Sequence, residues 1–182
     1  MANTTFSGPV ISKNGFTSTG PGMTVSLTAD TTLTVAAHAG RILLCNDADG
    51  KFTLPSINVN ANGATSGDND FNNLNNIGAT FTFFVETAAT DMDIKTDGTD
   101  KFKGAIMIGV DDGSKKAFVP GATNDVITMN GSTKGGIVGS VVSFTAIDTA
   151  TYMVHNSLLI GSGTIVTPVS YTHLTLPTTV SV

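Results

Sequence analysis

The sequence predicts an all-β protein built as a single antiparallel β-sandwich or flattened barrel. Short segments with alternating apolar and polar residues recur about every eight to twelve residues, and turn signals such as Asp97-Gly98 and Asn130-Gly131 separate them. We find no segment with the 3.6-residue period of an amphipathic helix. The first such segment is Met23–Leu27 (MTVSL), which we expect to pair with Leu33–Val35 or to lie beside it.

The stretch from Thr31 to Pro55 defines the architecture. Leu33 and Val35 alternate with threonines, as in a half-buried strand. Residues 36–40 are too few for a stable helix, so we expect one helical turn that ends at Gly40. Residues 41–46 (RILLCN) then predict a buried strand.

Residues 47–55 complete this stretch with a predicted turn and a predicted second strand. Asp47-Ala48-Asp49-Gly50 has the residue order of a turn. Residues 51–54 should then return antiparallel to residues 41–46. Pro55 should end the ladder, because proline has no amide hydrogen to donate.

The strongest strand signal is ATFTFFVET, residues 79–87. Phe81, Phe83 and Val85 alternate with Thr80, Thr82 and Phe84, which predicts a central strand with a buried aromatic face. Further predicted strands are 91–96, 101–110, 115–119, 125–129, 138–147, 151–155 and 158–160. The predicted core contains Leu43, Phe81, Phe83, Val85, Ile106, Ile108, Val142 and Phe144.

We expect one β domain over residues 22–167, preceded by an extended arm over residues 1–21. The arm is polar, with Phe6, Val10, Ile11 and Phe16 as isolated apolar residues. Inside the domain, residues 56–76 are rich in Asn, Gly and Asp and predict a long loop. Loops of this length in compact domains are usually functional or disordered.

Residues 168–182 (PVSYTHLTLPTTVSV) read as a translated sequencing adapter. One reading frame of the transposase adapter of tagmentation libraries encodes the ten residues Val169–Thr178. We therefore expect this tail to be adapter-derived rather than native, and the native C-terminus to be missing. Tyr171 and His173 accordingly receive no functional role.

Composition argues against two classes of partner. The 182 residues carry a net charge of -5 and only 13% are charged, so no basic surface is expected to neutralise nucleic-acid phosphates. No apolar run approaches the roughly 20 residues that cross a bilayer, and the N-terminus lacks the pattern of a secretory signal. We expect a protein made in the cytoplasm, with no nucleic-acid and no membrane partner.

The sequence predicts no catalytic, cofactor-binding or metal-binding residues. Cys45 is the only cysteine, and its neighbours offer no positive charge, so we interpret it as a small core residue. His38 and His155 belong to no ligand or catalytic pattern and are expected in a turn or a strand. Asp68 and Asp70 could bind Ca²⁺ with asparagine oxygens, but EF-hand spacing is absent, so a solvated insertion is favoured. Glu86 is the only glutamate, which disfavours a glycosidase pair.

Several phrases of the chain resemble a group of small structural proteins of tailed-phage virions, known from marine and metagenomic phage sequences. The phrases are TTFSGPVISKNGF, TLTVAAHAGRILLCNDADGKFTLP, GATFTFFVET, DVITMNGSTKGG and LLIGSGTIVTP, which together span most of residues 4–167. Members of this group usually pass from the LP phrase to the next strand through a short Gly-rich turn. This chain differs by the insertion of residues 56–76.

The resemblance implies a structural protein of the virion and not an enzyme. The leading hypothesis is a capsid-surface protein that decorates the phage head, bound to the major capsid protein or to other virion proteins. We expect a homo-oligomer, of which a trimer is one form, attached through the arm and one sheet edge. The alternative is a tail-fibre module or a receptor- or glycan-binding module, because the same composition suits either role.

Overall fold

The structure is a computed structural model that describes residues 22–58, 76–110 and 113–171. The predictions for the arm (residues 1–21), for Asp68 and Asp70, and for His173 fall outside these ranges. The elements in chain order are β1 (Thr24–Leu27), β2 (Thr31–Thr32), α1 (Val35–His38), β3 (Ile42–Cys45), β4 (Lys51–Thr53), β5 (Thr80–Val85), β6 (Met92–Lys95), β7 (Lys101–Gly104), β8 (Ile106–Gly109), β9 (Lys115–Phe118), β10 (Val126–Met129), β11 (Val141–Asp148), β12 (Thr151–Ile160) and β13 (Val169–Ser170).

The protein is mostly β, as predicted, and its strands form two mixed sheets, neither of which closes into a barrel within the described residues. The larger sheet has the order β1-β3-β5-β11-β12-β8-β9, with β7 also paired to β12. The smaller sheet has the order β13-β10-β6-β4-β2. The described part of the chain includes no helix long and apolar enough to cross a membrane.

The predicted antiparallel arrangement is not confirmed, because six of the eleven strand pairings are parallel. The reason is that the chain alternates between the sheets from β1 to β6. Each strand of the larger sheet is followed by one in the smaller sheet, so β1, β3 and β5 run in one direction, and so do β2, β4 and β6. Strand and turn signals do not reveal to which sheet a strand belongs.

This alternation overturns two predicted pairings. Residues 51–54 do not return antiparallel to residues 41–46, because the turn ending at Gly50 carries the chain into the other sheet, where β4 pairs with β2 and β6. Residues 23–27 do not lie beside residues 33–35 either, because β1 pairs with β3. Val35 begins the single helical turn, which was predicted one residue later.

Two predicted strand boundaries also differ. The expected strand over residues 101–110 divides into β7 and β8 at Gly104, whose φ is 126°. A side chain there would collide with the carbonyl oxygen of Val154. Conversely, residues 151–155 and 158–160 form one strand, β12, with a bulge at Asn156, whose φ of 45° is one that asparagine tolerates.

The core is one cluster of buried residues that contains aromatic rings from both sheets. Phe52 of the smaller sheet stacks on Phe83 of the larger sheet with ring centroids 6.2 Å apart, and Phe83 meets Phe144 edge-on at 5.8 Å. All eight predicted core residues are buried: Leu43, Phe81, Phe83, Val85, Ile106, Ile108, Val142 and Phe144.

Candidate functional site

Cys45 is a buried core residue at the end of β3, as predicted. Burial raises the pKa of its thiol to about 12, and the negative charge of Glu86 acts in the same direction. The thiolate, which is the nucleophilic form of cysteine, is therefore strongly disfavoured at neutral pH. Cys45 therefore contributes to the packing of the core.

His38 lies in the turn where it was expected, in the last position of α1. Its Nδ1 accepts a hydrogen bond from the Thr34 amide at 2.9 Å, so the ring caps the helical turn from which it extends. Burial lowers the pKa of His38, and the positive charge of Arg41 lowers it further, against a backbone hydrogen bond that raises it. A neutral ring fits this local role, because the accepting nitrogen must carry no proton.

His155 lies on β12 and belongs to a chain of hydrogen bonds on the outer face of the larger sheet. The Thr145 Oγ1 lies 2.8 Å from the His155 Nε2 and 2.7 Å from the Thr80 Oγ1. A nucleophilic hydroxyl needs a base that a third group orients. Among residues 22–58, 76–110 and 113–171, no carboxylate is bonded to the other ring nitrogen, so the chain joins three strands without forming a triad.

Acidic side chains were the remaining candidates from the sequence. Within the described ranges, no group of three or more His, Cys, Asp or Glu side chains could hold a metal ion. Glu86 lies exposed beside β5, where its carboxylate accepts a hydrogen bond from the Asn46 side chain at 2.7 Å. That contact links the ends of two adjacent strands.

A shallow cleft lies at the edge of the larger sheet, where β9 meets residues 163–165. It has a volume of about 530 Å³. Two lysines line it, and one of them, Lys116, donates to the Ile165 carbonyl at 2.9 Å. This bond ties the edge strand to the C-terminal segment.

Two further features of the structure remain, and the first is the base of the predicted long loop, by which we mean residues 56–58 and Asn76. Its two ends meet: the Asn58 amide donates to the Asn76 Oδ1 at 2.8 Å, and the Asn76 amide donates to the Asn58 carbonyl at 2.9 Å. Asn76 is buried and also donates from its side chain to the Ser56 carbonyl at 2.9 Å. Asn58 and Asn76, the described residues that flank 59–75, therefore lie side by side on the domain.

Two aspartates hold the first residues of the loop in place. The Asp97 carboxylate accepts from the Ser56 hydroxyl at 2.5 Å, and the buried Asp100 carboxylate accepts from the Ile57 amide at 2.9 Å. Burial opposes ionisation of Asp97, but hydrogen bonds from Ser56 and Thr99 outweigh it and lower the pKa. For Asp100, burial is the larger effect and raises the pKa.

The second feature is an apolar row on the outer face of the larger sheet. On successive strands of the larger sheet, residues that are paired with one another point outwards at the same level. Leu158 and Met107 belong to this set because they directly precede the paired residues Leu159 and Ile108. Leu158 is 50% exposed and Met107 is 44% exposed. The apolar row consists of Leu44, Phe84, Val141, Leu158, Met107 and Ala117.

Comparison with protein-family models, with curated proteins and with solved structures gave no significant match.

Sequence reasoning missed the apolar row, although parts of its signal were visible. Alternation places Phe84 on the face opposite Phe83, and residues 41–46 predict a buried strand because they are so apolar. Only the strand order aligns Leu44 with Phe84 and Val141 with Leu158. The row spans strands that are up to 114 positions apart in the sequence, from Leu44 to Leu158.

Proposed function

We propose that this chain is a structural protein of a phage virion, on the capsid surface as a head-decoration protein, and that it catalyses no reaction. The observation that supports the proposal is the apolar row, because an uncharged row on an extended sheet face suits the contact between copies that a homo-oligomeric virion protein needs. The sequence phrases that resemble phage virion proteins agree with it. Its expected partners are the major capsid protein or other virion proteins, and further copies of itself, with neither nucleic acid nor a membrane.

The proposed location is the virion, after synthesis in the host cytoplasm. We also propose that the two sheets form one sandwich, and the stacking of Phe52 on Phe83 between them supports this arrangement. The low charge fraction and the single buried cysteine suit a protein that packs in many copies and persists outside the cell without disulfides.

Binding to assembled heads tests this proposal directly. Purified protein is mixed with undecorated capsids of the source phage and centrifuged, with capsids of an unrelated phage as the control. We expect saturable co-sedimentation with the first and none with the second. An absence of co-sedimentation with the source capsids would overturn the decoration role. Gene order gives an independent check: neighbouring capsid and portal genes favour the head, whereas neighbouring tail genes favour a fibre.

A tail-fibre or receptor-binding module is the second candidate, and the base of the long loop favours it. The Asp97 and Asp100 carboxylates accept hydrogen bonds from Ser56 and Ile57, and Asn58 and Asn76 bond to each other, so the residues that flank 59–75 are held on the domain. Binding loops are commonly presented in this way by a rigid scaffold. A glycan array probed with the intact protein and with a variant lacking residues 59–75 distinguishes the two roles, because only a receptor-binding module loses signal when the loop is removed.

A further inference from the structure

The apolar row is unusual for an outward-facing surface. None of its six residues is charged, and the row crosses six adjacent strands from β3 to β9. At about 4.8 Å between strands, it is about 24 Å long. Leu158, Met107 and Ala117 are exposed, whereas Leu44, Phe84 and Val141 are partly buried. A contiguous apolar set of this length on one face is typical of a surface that another molecule covers.

We propose that a second copy of this chain covers the apolar row, face to face, about a two-fold axis that runs parallel to the strands between β11 and β12. This inference rests on the homo-oligomer in the proposed function and deepens it by naming the contact. It replaces the trimer expected from the sequence with a dimer as the smallest assembly. Closed two-fold pairs are the commonest homo-oligomers.

The positions of the row residues fit that axis. Three row strands lie on each side of it: β3, β5 and β11 on one side, and β12, β8 and β9 on the other. The axis therefore places Phe84 of one copy opposite Met107 of the second copy, and Val141 opposite Leu158. Large side chains meet large ones near the centre, and the small Ala117 lies at the end, opposite Leu44.

Charges beside the row are complementary under the same axis. Glu86 lies two residues beyond Phe84, and Lys115 lies two residues before Ala117, so both are on the outer face. The strand directions place both on the same side of the row, Glu86 directly after β5, the second strand of the row, and Lys115 on β9, its last strand. The two-fold axis places Glu86 of one copy over β8 of the second copy. Lys115 of that second copy lies on β9, the strand next to β8. The contact occurs twice in the dimer.

The size of the face sets the expected affinity. A face about 24 Å wide and about 20 Å long, the length of a six-residue strand, gives close to 1,000 Å² for two copies. That value is the lower limit for a specific protein interface. We therefore expect a dimer whose population depends on protein concentration in the micromolar range.

Sedimentation velocity of the full chain over a concentration series provides the first test, with Leu158→Asp as the variant. Leu158 is half exposed, so an aspartate there should leave the fold intact, which circular dichroism checks. We expect the dissociation constant to rise by at least about tenfold, because the charge is buried in the interface. Val166→Asp is the matched control, since Val166 is also an exposed aliphatic residue, 43% accessible, but belongs to none of the strands of the row.

A charge exchange provides the second test. Glu86→Lys and Lys115→Glu should each weaken the dimer by placing like charges together, and the double variant should restore it. Restoration cannot come from a general effect on folding, because the double variant carries both substitutions. Failure of the double variant to recover would overturn the proposed axis.

Other results would overturn the proposal as a whole. One such result is a monomer at all concentrations, and another is a dimer that Leu158→Asp does not weaken. A third is a dimer that is lost when residues 1–21 are removed but is kept in Leu158→Asp. That third result would assign the contact to the arm. Loss of capsid binding in Leu158→Asp without any dimer in solution would assign the row to a virion partner. Failure of capsid binding alone, with the dimer present, overturns the decoration role and leaves the dimer standing.

Discussion

Asn58 and Asn76 hydrogen bond to each other at the two ends of the long loop, through one backbone-to-backbone bond and one backbone-to-side-chain bond. Because these residues are adjacent in space, a short link could join them, as expected if residues 59–75 are an insertion that the domain does not need for its connectivity. Loop closure adds little cost as a loop lengthens, about 0.6 kcal/mol per doubling. An insertion at this point is therefore tolerated for physical reasons.

Replacing residues 59–75 with Gly-Gly should preserve the fold. The loss of a long loop reduces the entropy of the unfolded chain, so we expect unchanged or slightly higher stability in urea denaturation, within about 1 kcal/mol. Asn76→Ala is the informative companion, since it removes the buried side chain that bonds to both Ser56 and Asn58. It should cost about 1–3 kcal/mol. A deletion variant that fails to fold would contradict the interpretation of residues 59–75 as an insertion.

Phe83 and Phe84 are neighbours in sequence but belong to opposite faces of the larger sheet. Phe83 is buried against Phe52 and Phe144, whereas Phe84 is only partly buried. Phe83→Ala should therefore reduce the free energy of unfolding by about 3–5 kcal/mol. Phe84→Ala should cost clearly less, measured on the monomer in dilute protein. A loss below about 1 kcal/mol for Phe83→Ala would show that it is not in the core.

The contrast between these two phenylalanines also explains what the sequence could predict. Alternation within one segment assigns each side chain to a face, so the buried positions of β5 and the turn at Asp47–Gly50 could be predicted locally. The partner strand could not, because the sequence of a turn does not specify whether the chain folds back in its own sheet or crosses to the other. All features that depend on strand order, including the apolar row, were therefore missed.

Gly104 shows the same limit in a single residue. The segment KFKGAIMIGV predicts one long strand by alternation, but the division depends on Val154, fifty positions away, whose backbone occupies the space of a Gly104 side chain. A glycine in a strand signals a bulge or a close approach. It does not identify the approaching residue.

Residues 168–182 were predicted to be an adapter-derived tail, and β13 lies at the start of that tail. The Pro168 and Ser170 carbonyls accept from the Thr128 and Asp125 amides at 2.8 and 3.1 Å, respectively. A chain ending at Tyr171 should melt like the full chain. A chain ending at Thr167 should still fold cooperatively. It loses two backbone bonds worth about 1 kcal/mol each and the packing of Val169 against the core, so we expect a loss of about 2–4 kcal/mol. A larger loss would argue against an adapter origin, as would a continuous phage reading frame on resequencing.

Tyr152 links stability to alkaline pH. Its hydroxyl donates to the Pro55 carbonyl at 2.6 Å, at the start of the long loop. Burial raises the pKa of this phenol well above its ordinary value of 10, and the charges of Asp100 and Asp97 raise it further. Above pH 10 the unfolded chain loses this proton while the folded protein keeps it. The free energy of unfolding should therefore fall as pH rises, by up to about 1.4 kcal/mol per pH unit.

Tyr152→Phe separates this effect from the rest of the titration. At pH 7 the variant should lose about 1 kcal/mol of stability, because the Pro55 carbonyl loses its donor. Between pH 10 and 11 its stability should fall less steeply than that of the unmodified protein, because phenylalanine has no proton to lose. Tyr171→Phe is the matched control, since Tyr171 is the only other tyrosine and is 53% exposed. Urea denaturation at each pH measures both slopes. Equal slopes for Tyr152→Phe and the unmodified protein would show that the Tyr152 hydroxyl ionises alike in the folded and unfolded states.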